Sequence, residues 1–200
     1  LKQAREKLTA AQKALSRKTR GSKRRAKARL KVSALHGQVA RKRKDFLHQL
    51  SAAIVFLYSV VAVEKLLLSN MTRSARGTVE KPGRNVKQKA GLNRSLLDAS
   101  IGALFSLIAY KAEEAGTRFV KVAPHHTSQN CFWCGHKVPK ELSVRVHICP
   151  SCGFTQDRDY NAALNILAKG LVQTGWEPSE AWSRVAAAVK RETTSMPLAA

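Results

Sequence analysis

Acidic side chains are scarce in this chain: 13 Asp and Glu stand against 36 Lys and Arg, a net charge of +23. A balance that basic argues for a polyanion partner, most often nucleic acid, because neutralising phosphates releases counterions. The plainer alternative, a basic surface that only keeps the protein soluble, sits poorly with the clustering. Residues 1–50 hold 17 Lys and Arg, with only Glu6 and Asp45 as acids. Aromatic residues are few, at 6%. The basic segment lacks the aromatic anchors of a helix that lies on an anionic membrane. Long hydrophobic runs are lacking too. The longest, Leu50 to Val63, is broken by Ser51, Tyr58 and Ser59 and falls short of the about 18–20 apolar residues of a membrane span. The first residues do not read as a signal peptide, and no internal repeat is visible. The expectation is a soluble protein of a reducing compartment, with no membrane partner. At 44% hydrophobic residues, a core can be buried and wholesale disorder is excluded. The chain opens at Leu1 within a helical pattern, which reads as part of a longer protein.

Residues 1–15 repeat Leu1, Ala4, Leu8, Ala11 and Leu15 at helical spacing. The stretch "SRKTRGSKRR" breaks that pattern, and a second helix is predicted from Lys23 to about Gln49, with Leu30, Ala34, Val39, Phe46, Leu47 and Leu50 on one side. Together they make a helical hairpin with a Lys/Arg outer face. "YSVVAVE", Tyr58 to Glu64, suits a strand buried on both faces. Residues 69–91 read as a polar loop. Residues 95–115 read as a helix with Ser95 and Asp98 as a capping box, an apolar stripe through Leu97, Ile101, Leu104, Phe105, Ile108 and Ala112, and Gly116 as C-cap. "RFVKVAP" reads as a second strand, followed by a cysteine module, a helix from about Tyr160 to Lys169, and a last amphipathic helix over Ser179 to Lys190. Strands with helices between them make an α/β layer.

The four cysteines form two pairs, Cys131-x-x-Cys134 and Cys149-x-x-Cys152, each followed by glycine. Two short knuckles supply four soft ligands for tetrahedral zinc with little loop entropy to overcome. A pair of disulfides or a redox CxxC are the alternatives; the expected basic, intracellular character and the doubled motif weigh against them. "VRVHI", Val144 to Ile148, alternates like a hairpin strand. His136 and His147 lie nearby, but four cysteines close the coordination sphere, so both histidines read as surface or nucleic-acid-facing residues.

Metal-dependent nucleases need acids converging from different elements, and Mg²⁺ prefers carboxylates with water and substrate phosphate. Glu64 ends the first strand, where α/β sheets place their sites; alternatively it marks the strand's exit to solvent. Asp157 and Asp159 precede a helix, and one of them can be a plain N-cap. Asn161 and Asn165 share a helix face one turn apart, and Ala162 and Ala163 permit close approach of another element.

"DRDYNAALNIL" directly after the cysteine pairs, "VVAVEKLLLSNM", "HTSQNCFWCGH" and the basic stretch Lys13 to Ser51 occur in one order. In that order they resemble the C-terminal half of the TnpB (OrfB) proteins of insertion sequences, over about Leu1 to Leu171. More remotely they resemble type V CRISPR effectors. The resemblance implies an α/β fold, a partial RNase H-like (RuvC-type) domain with a basic helical hairpin and an inserted four-cysteine zinc ribbon. It implies RNA-guided DNA cleavage with Mg²⁺ or Mn²⁺ held by three acids. Glu64 matches the second acid and Asp159 the third, with Asp157 and Asn161 as outer-shell neighbours; Cys131, Cys134, Cys149 and Cys152 match the structural zinc ligands. The family's first acid, in a "GIDLG"-like strand, has no counterpart, because Glu6 and Asp45 lie in the hairpin. Lys65 departs from the family's usual acid or polar residue after Glu64. The chain alone is therefore expected not to cut DNA.

The expected division is a hairpin over 1–57, a strand–helix–strand core over 58–125, the ribbon over 126–156, a catalytic-motif helix over 157–170 and a tail over 171–200. Phosphate contacts are expected from Arg17, Lys18, Arg20, Lys23, Arg24, Arg25, Lys27, Arg41, Lys42 and Arg43. The partners would be DNA and a guide RNA, in the nucleoid of a bacterial or archaeal cytoplasm. Two other functions fit the composition: a zinc-ribbon protein that grips RNA or DNA without chemistry, and a small ribosomal zinc-ribbon protein. The α/β core over 58–124 is superfluous for the last.

Overall fold

A computed structural model of the chain describes residues 1–141 and 143–195. Helices α1 (Lys2–Ser16) and α2 (Lys23–Leu57) pack as an antiparallel hairpin. The basic turn between them closes on its own side chains. Ser22 caps α2 by accepting from the Arg25 backbone N–H at 3.1 Å. The Arg25 guanidinium returns to the carbonyls of Leu15 (3.1 Å) and Lys18 (2.9 Å). Helix α2 runs past the predicted end near Gln49. No Gly or Pro interrupts residues 50–57, and Ile54 and Val55 pack on Ile108 and Ala112, so tertiary packing extends the helix. Its buried line is Val32, Val39, Leu47, Ser51 and Val55. Leu30 and Phe46, predicted on the inner side, are 69% and 56% exposed.

Strands β1 (Val60–Glu64) and β2 (Arg118–Val122) pair in parallel, from Val60↔Arg118 to Glu64↔Val122. Parallel pairing requires a crossover, here made of α3 (Leu68–Met71), α4 (Val86–Ala99) and α5 (Ile101–Ala115). The single helix predicted over 95–115 is two helices. Ser100 takes a left-handed φ of 52° between them, so Ser95 and Asp98 lie inside α4 and cap nothing. Asp98 instead takes Arg5 and Arg43 (2.8 Å to Arg43), fixing α4 against the hairpin. With the helix broken, Leu97 leaves the stripe and is 64% exposed. The predicted loop over 69–91 contains α3 and the first turns of α4. By length and composition Val86–Ala115 would suffice to cross a membrane, but its α5 half buries Ile108 and Ala112 against α2.

The side chains of β1 alternate between two layers. Val61, with Phe119 of β2, joins Val55, Ile108 and Ala112 of α2 and α5. Val60 faces the other core, built from α6 (Arg158–Gln173) and α7 (Pro178–Ser195) through Leu164, Ala168, Leu171, Ala181, Val185 and Val189. Ala62 and Val120 face Gly170 of α6. The cysteine module lies between β2 and α6 in sequence. Its antiparallel strands β3 (Val146–Ile148) and β4 (Thr155–Asp157) pair Val146 with Asp157 and lead directly into α6.

Candidate metal centres and nucleic-acid surface

Each cysteine pair forms a tight knuckle ended by a left-handed glycine, Gly135 (φ 74°) and Gly153 (φ 73°). The two knuckles interlock. Cys131 Sγ lies 3.7 Å from Cys152 Sγ and Cys134 Sγ 3.5 Å from Cys149 Sγ. All four sulfurs fall within 4.8 Å of one another, and none is in a disulfide. A tetrahedron with Zn–S bonds of about 2.3 Å sets its sulfurs about 3.8 Å apart, so the donor set fits a zinc-sized ion. The thiols differ in their surroundings. Burial pushes Cys131 up to about 12, against the backbone N–H groups of Cys134 and Trp133. Cys149 is also desolvated, yet the N–H groups of Cys152 and Ser151 and the neighbouring thiols outweigh burial and lower it to about 6.

His147 is not a surface residue. It is 0% exposed, tilted against Phe154, with Lys140 Nζ at its Nδ1. Burial, reinforced by Lys140, lowers its pKa and keeps the ring neutral. "VRVHI" does contain a hairpin strand, but its apolar phase faces outward: Val144, Val146 and Ile148 are exposed and His147 points in. His136 is exposed.

The root of the ribbon is clasped by two buried asparagines of α6. Asn161 Nδ2 donates to the Asn130 carbonyl at 2.9 Å, and its Oδ1 accepts from the Phe132 N–H at 3.0 Å. Asn165 Nδ2 donates to the carbonyls of Asn130 (2.9 Å) and Thr127 (3.0 Å). The shared face read from the sequence is present. Asn161, expected beside the carboxylates, is turned to the ribbon root instead, because the orphan backbone groups there need partners.

Glu64 and Asp159 line one depression of about 660 Å³, with Thr127, Arg158, Ala162 and Ile166 among its walls. Glu64 comes from the carboxyl end of β1 and is half-buried, with its Oε1 accepting from Thr127 Oγ1 at 2.9 Å. Asp159 sits in the first turn of α6, its side chain 71% exposed, 3.1 Å from Arg158 Nε. Asp157 is the N-cap of α6: its Oδ1 accepts from the N–H groups of Asp159 (2.8 Å) and Tyr160 (3.0 Å). Among the described residues the lining of the depression carries no third carboxylate. Sequence reasoning missed Thr127 and Arg158. Thr127 was visible only as a letter in "HTSQNC", and Arg158 as the middle of "DRD".

Of the predicted phosphate contacts, Arg17, Lys18, Arg20, Lys23, Arg24, Lys27, Arg41 and Lys42 are exposed. Arg25 and Arg43 are half-buried and engaged within the fold, by the turn carbonyls and by Asp98.

Residues 1–75 match the OrfB IS605 family model, described as "Probable transposase", and residues 102–166 match the model described as "Cas12f1-like, TNB domain". Over 166 residues the chain is 41% identical to the "Putative RNA-guided DNA endonuclease InsQ" of Escherichia coli (strain K12), covering 82% of this chain and 41% of that protein. A protein of Streptomyces pristinaespiralis with the same description, apart from the name InsQ, is 35% identical over 197 residues (94% of this chain, 44% of that one). TnpB-like protein L79 of Acanthamoeba polyphaga mimivirus is 29% identical over 150 residues (75% and 27%). The chain belongs to the TnpB (OrfB) family. This TnpB-family chain spans less than half the length of those relatives. Its fold is also that of the Cas12f1 chain in the cryo-EM structure of a Cas12f1–sgRNA–target DNA complex. There the TM-score is 0.52 at 24% identity, over 81% of this chain and 40% of that one.

Proposed function

We infer that this chain is the C-terminal part of a transposon-encoded, RNA-guided DNA endonuclease, with Glu64 and Asp159 as its divalent-metal ligands. The observation that carries the reading is their convergence: two acids far apart in sequence, from a strand end and a helix start, open into one depression. Such a pair suits Mg²⁺ or Mn²⁺, which would activate water and neutralise phosphate charge. The relatives' names, RNA-guided DNA endonucleases, support the same reaction. The βαβ-type core with α6 across one face is compatible with an RNase H-like domain short of strands.

The cysteines would hold Zn²⁺, whose work is structural: four sulfur ligands leave no open position for water. The exposed Lys and Arg of the hairpin would grip phosphates of target DNA or guide RNA, which gives affinity without reading sequence. Sequence choice would rest with the guide. A nucleoid-associated, cytoplasmic location follows from that reading. Glu64 is fixed by Thr127, while Arg158 balances the charge of the exposed Asp159.

One observation favours a second reading, a nucleic-acid-binding module without chemistry: two carboxylates, not three, line the depression. The test is DNA incubated with this chain and Mg²⁺ or Mn²⁺. Two acids can bind one divalent ion but leave a metal pair short of ligands, so no cleavage is expected from the chain alone. Metal-dependent nicking abolished by Asp159→Ala would show that the site is complete without a third acid.

A further inference from the structure

The geometry points to Thr127 as a positioning residue that sets the orientation of Glu64 for divalent-metal binding, an inference that rests on the metal-site reading above. Glu64 ends a strand, and a glutamate side chain has three rotatable bonds, so an unrestrained carboxylate would sample many orientations over the depression. Among the described residues one neighbour restrains it: Thr127 Oγ1 donates to Glu64 Oε1 at 2.9 Å. The same hydroxyl has the Pro124 carbonyl at 3.2 Å. Its single proton goes to the nearer, charged acceptor, since hydrogen bonds to ionised groups are the stronger ones.

Thr127 is itself held on every side. It is 3% exposed. His126, immediately before it, has a left-handed φ of 60°, uncommon for a non-glycine residue and suited to a tight turn. Its carbonyl accepts the N–H groups of Gln129 (3.1 Å) and Asn130 (2.9 Å), closing a turn around Thr127. Asn165, 3% exposed on α6, takes the Thr127 carbonyl at 3.0 Å. Asp159 stands on the same helix. One rigid unit therefore carries Asp159 directly and grips Glu64 through a single hydroxyl. Carboxylates that bind metals are commonly fixed by such outer hydrogen bonds, and losing one typically costs about ten- to a hundredfold in metal affinity.

The test is Mn²⁺ titration of the zinc-loaded chain, with free Mn²⁺ read by electron paramagnetic resonance and each variant's melting temperature measured alongside. Thr127→Val keeps shape and removes the donor; Thr127→Ser keeps the donor. The expected result is Mn²⁺ affinity about ten- to a hundredfold weaker for Thr127→Val and near the parent value for Thr127→Ser. A lower melting temperature for Thr127→Val with unchanged Mn²⁺ affinity makes Thr127 purely structural and overturns the proposal. If Thr127→Val does not fold, Thr127→Ala removes the same hydroxyl without adding a methyl, and the same comparison holds. Glu64→Gln and Asp159→Asn separate the two levels. Weakened binding in these with none in Thr127→Val sinks the positioning role alone. Unchanged or absent Mn²⁺ binding throughout sinks the metal-site reading, and the role of Thr127 with it.

Discussion

Gly170 of α6 lies against Ala62 of β1 so closely that a Cβ added at Gly170 would meet the Ala62 Cβ at 2.5 Å and Val120 Cγ2 at 3.1 Å. This close approach lets the helix lie directly on the sheet and sets how far Asp159, on the same helix, stands from Glu64, on the same strand as Ala62. Gly170→Val should destabilise the fold by about 1–3 kcal/mol through overpacking, read as a lowered midpoint in urea. Gly170→Ala should lose less, because better helix propensity returns up to about 1 kcal/mol. Equal or higher stability for the valine variant would contradict the close approach.

The two neighbours Arg24 and Arg25 should behave differently. Arg24 is exposed, whereas Arg25 closes the hairpin turn on the carbonyls of Leu15 and Lys18. Arg24→Ala should weaken nucleic-acid binding and reduce the salt slope by about 0.9 for each phosphate that Arg24 neutralises, with melting unchanged. Arg25→Ala should lower the melting temperature, because the carbonyls it caps lose their partner. Fluorescence anisotropy across a salt series, beside thermal melts, distinguishes them; identical behaviour of the pair would contradict the assignment.

Zinc affinity should rise with pH. Binding requires four thiolates. Cys131, held up at about 12 by burial, must give up a proton across the neutral range. Cys149, lowered to about 6, carries one only below that pH. The affinity should therefore fall as pH drops from 8 to 6, and more steeply below about 6, where a further proton must be displaced. Competition with a chromophoric chelator measures it. A pH-independent affinity would argue against a four-thiolate site.

Asp98 ties three helices together through Arg5 and Arg43. Asp98→Ala should cost about 1 kcal/mol, near the upper end for partly exposed ion pairs, and should speed amide hydrogen exchange in Val86–Ala99. Unchanged exchange there would mean that α4 is held by other interactions.

Much of this was legible in the sequence because it rests on local chemistry. The cysteine spacing pointed to the four-sulfur cluster, and β1 and β2 were readable from their β-branched runs. The acid at the end of β1 and the acids before α6 stood out as charges beside apolar segments. What was not legible depended on distant partners. The break falls on Ser100, a non-glycine in a left-handed conformation, and the neighbouring Gly102 lies inside α5, so the sequence does not mark the break point. The inward face of His147 follows from the ribbon's packing, and the internal roles of Arg25 and Arg43 depend on carbonyls and an acid supplied by other turns and helices. Asp157 and Asp159 look alike in sequence. The resemblance preferred Asp159 without a physical reason, and the hydrogen bonds supply one: Asp157 is the cap, and Asp159 is the acid that lines the depression.

That separation gives the most direct measurement. If the proposed function holds, the chain, joined to the part of the Escherichia coli relative that it does not span and programmed with a guide, should cleave DNA in Mg²⁺. Glu64→Gln and Asp159→Asn should each reduce the rate by more than about a hundredfold, as loss of a metal ligand exceeds loss of an outer hydrogen bond. Asp157→Asn, which keeps a capping oxygen, should remain active. An inactive Asp157→Asn beside an active Asp159→Asn would contradict the account.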